Sequence, residues 1–209
     1  MVGARQVHEV RLIGGLWKRS RLPVVDRPGL RPTPDRVRET LFNWLGQDLT
    51  GWRCIDAFAG AGALGFEAAS RGAAQVWMID RDGALVSGLK RVKERLDAQT
   101  VQIECGDGVA ALQRAKPQSW DLIFLDPPYD SDLLRPALAA AQRALAPGGL
   151  VYLESARAWS PTSQADGRGG AGADWELFRH MKAGQVHAHL LRAATLTPAI
   201  ESERSPAPL

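Results

Sequence analysis

Residues 56–65 read DAFAGAGALG, and this stretch decides the fold. Gly60, Gly62 and Gly65 have the GxGxxG spacing of a turn that leads a strand into a helix and lets a ligand approach the backbone. The spacing alone does not choose the ligand. The flanking sequence has to supply the sheet, the polarity of the crevice and the chemistry opposite it.

Downstream of Trp52 the chain alternates regularly. Segments 53–59, 75–80, 101–105, 120–126 and 149–155 read as short apolar strands, and 63–71, 83–97, 108–115 and 132–146 read as helices. Strands separated by helices predict an α/β fold whose parallel sheet is covered on both faces. Residues 175–193 read as two further strands turning at Ala183-Gly184. The Gly/Ser-rich segment 160–174 is predicted to be a loop, and the Pro-rich tail 194–209 to be disordered.

The first forty residues differ from the rest. The whole chain of 209 residues has net charge +3, but residues 1–40 carry +5 and the remainder −2. This asymmetry suits a segment facing a polyanion, or a solvated basic arm with no partner. Val10–Ile13, Gly14-Gly15 and Leu16–Val25 predict a β-hairpin with a tight glycine turn, followed by Trp17, Lys18, Arg19 and Arg21. Thr33 and Pro34 then predict a helix start, with Thr33 capping and Pro34 at the first helical position. The expected division is 1–30 as a basic hairpin extension, 31–193 as the main domain and 194–209 as the tail.

No apolar run is long enough to cross a bilayer, and no secretory signal is visible in MVGARQVHEVR, so a cytoplasmic location is expected. Cys54 and Cys105 lack partners at metal-ligand spacing and read as reduced thiols; no metal is expected. His180, His187 and His189 receive no ligand role.

Asp56 and the end of the fourth strand, rather than Asp80, choose the ligand class. Asp80 lies 20 residues beyond Gly60 at a strand end, suited to ribose hydroxyls in NAD and S-adenosylmethionine alike. Asp56, just ahead of the glycines, would repel a pyrophosphate and welcome an ammonium or sulfonium. The fourth strand then ends in Asp126-Pro127-Pro128-Tyr129. By itself DPPY is a rigid turn; paired with DAFAGAG on strand one it points to a methyl donor.

Asp56–Gly65 with Asp126–Tyr129 resembles the class I S-adenosylmethionine-dependent amino-methyltransferases. With RLIGGLWKRSRLPV (11–24), RPTPDRVRETLFNWL (31–45) and AGQVHAHLLR (183–192), the sequence resembles the bacterial 16S ribosomal RNA guanine-N2 methyltransferase family from about residue 10 to 193. The resemblance implies a Rossmann-like, seven-stranded, mostly parallel sheet with helices on both faces and a small N-terminal hairpin. It implies methyl transfer from S-adenosylmethionine, leaving S-adenosylhomocysteine, to a guanine N2 of 16S rRNA in a partly assembled small subunit. Nothing in the sequence demands more than a monomer.

The family pattern assigns donor binding to Arg31, Thr33, Arg38, Asp56, Phe58, Ala59, Gly60, Gly62, Asp80, Asp107, Gly108 and Val109. The other reading of Asp107 is a helix N-cap. The Asp126 carboxylate and Pro127 carbonyl would accept from the target amine, with Tyr129 stacking on an everted base. Asp126 reads either as a base or as a hydrogen-bond acceptor only. Trp17, Lys18, Arg19 and Arg21 would bind RNA, with core packing the other reading of Trp17. Other readings of the same residues are a DNA adenine-N6 methyltransferase, a protein amide methyltransferase, an NAD-dependent oxidoreductase and a catalytically silent RNA-binding factor.

Overall fold

A computed structural model describes residues 8–24, 33–129, 131–160 and 175–194. Strands β1 (His8–Arg11) and β2 (Arg21–Val24) pair antiparallel and lead to helix α1 (Asp35–Trp44). The alternating region follows: β3 (Arg53–Asp56), α2 (Ala63–Ser70), β4 (Gln75–Asp80), α3 (Gly83–Leu96), β5 (Val101–Cys105), α4 (Gly108–Arg114), β6 (Trp120–Leu125), α5 (Leu134–Ala144) and β7 (Leu145–Ser155). Strands β8 (Trp175–Ala183) and β9 (Val186–Ala193) complete it.

The seven-stranded sheet has the order β5-β4-β3-β6-β7-β9-β8. β3 to β7 are parallel; β9 pairs antiparallel with both β7 and β8. The chain runs outward from β3 through β4 to β5, then crosses back to place β6 on the other side of β3. A crevice therefore opens at the carboxyl ends of β3 and β6, where the winding reverses.

Strand periodicity sorts the core into two layers. Cys54, Met78, Leu122, Phe124 and Tyr152 face α1, α2, α3 and the hairpin, in one cluster with Leu12, Leu22, Leu41, Phe66 and Leu89. Ile55, Ile79, Ile123, Leu125 and Leu153 face α4 and α5, against Leu112, Leu138 and Ala141. Each fully buried Leu, Ile or Phe contributes about 1.5–3 kcal/mol of transfer free energy.

The hairpin departs from expectation. Arg11 pairs with Arg21, so Leu12–Ser20 form a nine-residue connection rather than a two-residue glycine turn. Gly14 and Gly15 serve a different purpose, which is close approach to α2. A Cβ on Gly15 would lie 1.8 Å from the Ser70 carbonyl oxygen, and its φ is +72°. The Leu16 amide donates to that carbonyl at 2.7 Å, and the Trp17 amide to Ser70 Oγ at 2.9 Å. Leu12 and Leu22 are fully buried in the main core cluster, so the hairpin packs against the α/β layer.

Three boundaries also shift. Pro34, not Thr33, occupies the cap position of α1, without a side-chain cap bond. β7 begins at Leu145, because Leu145 pairs with Trp120 before an irregularity at which the register jumps to Leu122–Leu150. The β8–β9 turn falls at Gly184-Gln185, one residue late, with Gly184 at φ +62°. Arg31, almost all of the 160–174 loop and nearly all of the tail lie outside the described residues.

Candidate active site

Four carboxylates line the carboxyl edge of the sheet, one on each of four adjacent strands. Asp80 ends β4, Asp56 ends β3, Asp126 follows β6, and Glu154 is the penultimate residue of β7. Strand alternation puts all four on the face shared with α1, α2 and α3, in phase with Met78, Cys54, Phe124 and Tyr152. Sequence reasoning identified the first three. It missed Glu154, which sits within the strand-like run GLVYLES with no motif around it.

Two of these acids shape the glycine loop. The Asp80 carboxylate accepts from the Gly60 amide at 2.9 Å, and from the Asp82 amide at 2.8 Å. Asp56 accepts from the Gly65 amide at 3.0 Å and from the Phe58 amide. The loop is tightened further by the Gly62 amide donating to Ala59 O at 2.7 Å. Gly60 and Gly62 adopt φ of +52° and +81°, which favours glycine. Gly65 lets α2 close on β4: a Cβ there would sit 2.8 Å from Met78 Sδ.

The amides of Gly60 and Gly65, which a pyrophosphate would use, are thus already engaged by carboxylates. At Gly60 and Gly65 the crevice offers its ligand carboxyl groups rather than amide donors. This fits the ammonium and sulfonium of S-adenosylmethionine and disfavours a dinucleotide.

The second loop meets the first. A Cβ on Gly108 would lie 2.0 Å from Ala57 O and 3.3 Å from the Phe58 ring, so Asp107, Gly108 and Val109 abut the end of β3. The Asp107 carboxylate caps α4 through the Ala110 amide at 2.8 Å. Phe58 is half-buried and Ala59 buried, its amide bonded to Ile79 O at 2.9 Å.

Electrostatics follow from this crowding. Burial, opposed by the two amide bonds and reinforced by Asp80 and Glu154, pushes the Asp56 carboxyl up to about 7. Burial, then the neighbouring Glu154 and Asp56 charges, push Asp126 well above the ordinary carboxylate range. Burial also raises Glu154, but the Thr33 and Tyr152 hydroxyls and the Arg38 charge oppose it. Tyr152 Oη donates to Glu154 Oε1 at 2.8 Å. Thr33 thus spends its hydroxyl on a buried carboxylate instead of capping α1.

Arg38 is placed differently from a ligand contact. It is 0% exposed, with Nε on Thr33 O, Nη1 3.4 Å from Glu67, and Nη2 on Arg11 O and Asp35. It locks the N-terminal segment to the core. Pro127 is buried beside Asp126, whereas Tyr129 is 47% exposed at the mouth of the turn.

Lys18, Arg19 and Arg21 are exposed, Arg21 pairing with Glu9 at 2.9 Å. Trp17 is half-buried against the core. Leu16, 82% exposed beside these cations, was not singled out in the sequence. On the opposite side of the sheet, His180, His187 and His189 gather with ring nitrogens within 4.8 Å, a grouping that spacing did not reveal. His189 Nε2 accepts from the Trp159 amide at 2.9 Å while Nδ1 faces Leu153 O at 3.3 Å, so both its nitrogens are engaged.

Comparison with known proteins gives a consistent result. Residues 10–192 match the family described as conserved hypothetical protein 95. The chain is 39% identical over 181 residues to ribosomal RNA small subunit methyltransferase D of Escherichia coli K12, covering 85% of this chain and 87% of that one. It is 40% identical over 152 residues to the Haemophilus influenzae protein of the same name, covering 70% and 79%. The solved structure of yhhF from Escherichia coli superposes with a TM-score of 0.74 at 35% identity, over 89% of this chain and 98% of that one.

Proposed function

The chain belongs to the conserved hypothetical protein 95 family, and from that premise we propose that it transfers a methyl group from S-adenosylmethionine to the exocyclic N2 of a guanine in 16S ribosomal RNA. The observation that carries this reading is the row of Asp80, Asp56, Asp126 and Glu154 along one face of the crevice, with the glycine-loop amides already satisfied.

Asp80 would meet the donor's ribose hydroxyls, Asp56 its ammonium, and Asp107 with Gly108 and Val109 its adenine. Phe58, Ala59, Gly60 and Gly62 would wrap it by backbone, while Thr33 and Arg38 act one step back by fixing Glu154 and the start of α1. When bound, S-adenosylmethionine supplies an electrophilic methyl on a cationic sulfur.

The chain's residues handle the acceptor. A guanine N2 lone pair is delocalised into the ring and is a poor nucleophile. Acceptance of its hydrogens by the Asp126 carboxylate and the Pro127 carbonyl would draw it toward tetrahedral geometry, and fixed alignment supplies the proximity term. Tyr129 is exposed where an extruded base could stack on it. Lys18, Arg19 and Arg21 would hold phosphates, with Leu16 and the exposed edge of Trp17 beside an unpaired base. On this reading the protein works in the cytoplasm as a monomer on a partly assembled small subunit.

The test is transfer of labelled methyl from S-adenosylmethionine to small-subunit particles from cells lacking this gene, followed by nucleoside digestion. N2-methylguanosine is expected. Label in DNA as N6-methyladenine, with none in RNA, would overturn the substrate assignment.

A further inference from the structure

Beside Asp126 stands a second carboxylate, the buried Glu154, to which no direct contact with the methyl donor is assigned. Leu125 on β6 and Leu153 on β7 are register partners, so Asp126 and Glu154 are the next residues on neighbouring parallel strands, whose spacing is about 4.8 Å. Glu154 is buried and held by two hydroxyl donors, Tyr152 from its own strand and Thr33 from the segment ahead of α1. Arg38 on α1 adds a nearby positive charge. Asp126 is half-buried, with Asp56 and Glu154 as its charged neighbours.

We infer that Glu154 is a positioning residue that holds the negative charge of this pair and thereby makes Asp126 the base that receives the acceptor's proton. The inference rests on the proposed amine methylation and deepens it. Donors stabilise a carboxylate anion, and Glu154 has two hydroxyls and a guanidinium nearby. Two adjacent carboxylates give up full ionisation readily, so the first proton that the ionised pair takes up goes to the member with weaker anion stabilisation, Asp126. The upward displacement of Asp126 agrees with this.

The step balances. The nitrogen lone pair forms the new N–C bond while the S–C bond breaks, its electron pair staying on sulfur. The nitrogen then carries a surplus proton, which passes to the ionised Asp126 carboxylate and is released from it to solvent, restoring the anion. Among the described residues, Asp56 on β3 and Glu154 and Tyr152 on β7 interact with Asp126, while Tyr129 acts on Tyr152 and Arg38 on α1 acts on Glu154.

The experiment compares full-length wild type with Glu154→Gln, which keeps the shape and one acceptor oxygen but removes the charge. Single-turnover methylation of small-subunit particles is followed from pH 5 to 9. Separately, carboxyl NMR titrates Asp126 without donor, and calorimetry measures adenosylhomocysteine affinity. In the Glu154→Gln variant the acid limb and the Asp126 titration both move down by about one pH unit or more, while product affinity stays within about threefold. An unmoved limb and unmoved titration overturn the inference, whatever the rate. So does a tenfold loss of adenosylhomocysteine affinity, which would assign Glu154 to the donor pocket. Thr33→Val, which weakens the anion preference of Glu154, moves the limb the same way and serves if Glu154→Gln does not fold. Full turnover in Asp126→Asn would instead sink the role of Asp126 itself, a failure distinguishable from that of Glu154.

Discussion

Arg38 and Glu67 form an ion pair 3.4 Å apart in which neither side chain reaches solvent. Glu67 accepts more than that pair. Its two oxygens also take the Ile13 and Gly14 amides, each at 2.8 Å, and Arg71 at 2.8 Å. One carboxylate from the middle of α2 thus gathers the hairpin connection, α1 and the end of its own helix. Every lone-pair direction has a donor, which is what allows a charge to stay buried.

Glu67→Ala therefore removes the acceptor used by Arg38 Nη1, by two backbone amides and by Arg71. The expected loss is about 3–5 kcal/mol of folding stability, the range for breaking a buried pair on one side. Urea unfolding at neutral pH measures it. A loss below about 1 kcal/mol would mean that water reaches Arg38 in the variant.

Gly15→Ala tests the docking of the hairpin without touching the crevice. Its Cβ would collide with the Ser70 carbonyl, at a φ that disfavours a side chain. Amides of Leu16 and Trp17 should lose hydrogen-exchange protection and RNA affinity should fall, while adenosylhomocysteine binding is retained. Unchanged protection of both amides would contradict the contact.

Asp56 makes ligand binding depend on protons. Its carboxyl is raised to about 7 from an ordinary 3.8, so between those values the folded protein holds a proton that the unfolded chain has lost. The resulting stabilisation is complete below about 4 and is lost as pH rises through 7. An ammonium placed beside it reverses the balance and expels the proton. Calorimetry near pH 6.5 in buffers of different ionisation enthalpy should show proton release with adenosylhomocysteine and none with adenosine, which lacks the ammonium. Equal release with both would remove Asp56 from the ammonium contact.

His189 has the opposite sign. Burial, then the neighbouring His180, lower its imidazole to about 4 from 6.5. The unfolded chain takes up a proton in that window and the folded one does not, so stability falls as pH drops from about 6.5 toward 4, by on the order of 2–3 kcal/mol. His189→Gln should flatten that slope while lowering the plateau, as read by urea unfolding at pH 7 and pH 5. A slope identical to wild type would assign the acid sensitivity elsewhere.

The sequence made the sheet readable because its strands are short apolar runs bounded by turns; β4 and β5 fall on their expected residues, Gln75–Asp80 and Val101–Cys105. Asp56, Asp80 and Asp126 were legible because each sits beside a glycine or proline that marks a strand end, or at a fixed distance from one. Glu154 carries no such mark, and its partners Thr33 and Tyr152 come from separate segments. The anchoring part that Arg38 plays was hidden for the same reason: its acceptor Glu67 lies 29 residues away, and nothing local shows that the pair is buried. The hairpin glycines read as a turn because sequence shows which backbone is permissive, not which neighbour crowds it. The histidine group is a product of pairing between β7, β8 and β9, so only the folded register assembles it.

The insertion of β9 between β7 and β8 also orders the birth of the molecule. During synthesis β7 emerges with its outer edge bare, and Val186–Ala193, the strand that covers it, follows only after β8 has been made. Until then a nascent chain exposes a row of unpaired peptide groups next to Glu154, an open invitation to another unfinished copy. Chains truncated ahead of Val186 should accordingly clump rather than survive as sluggish enzymes.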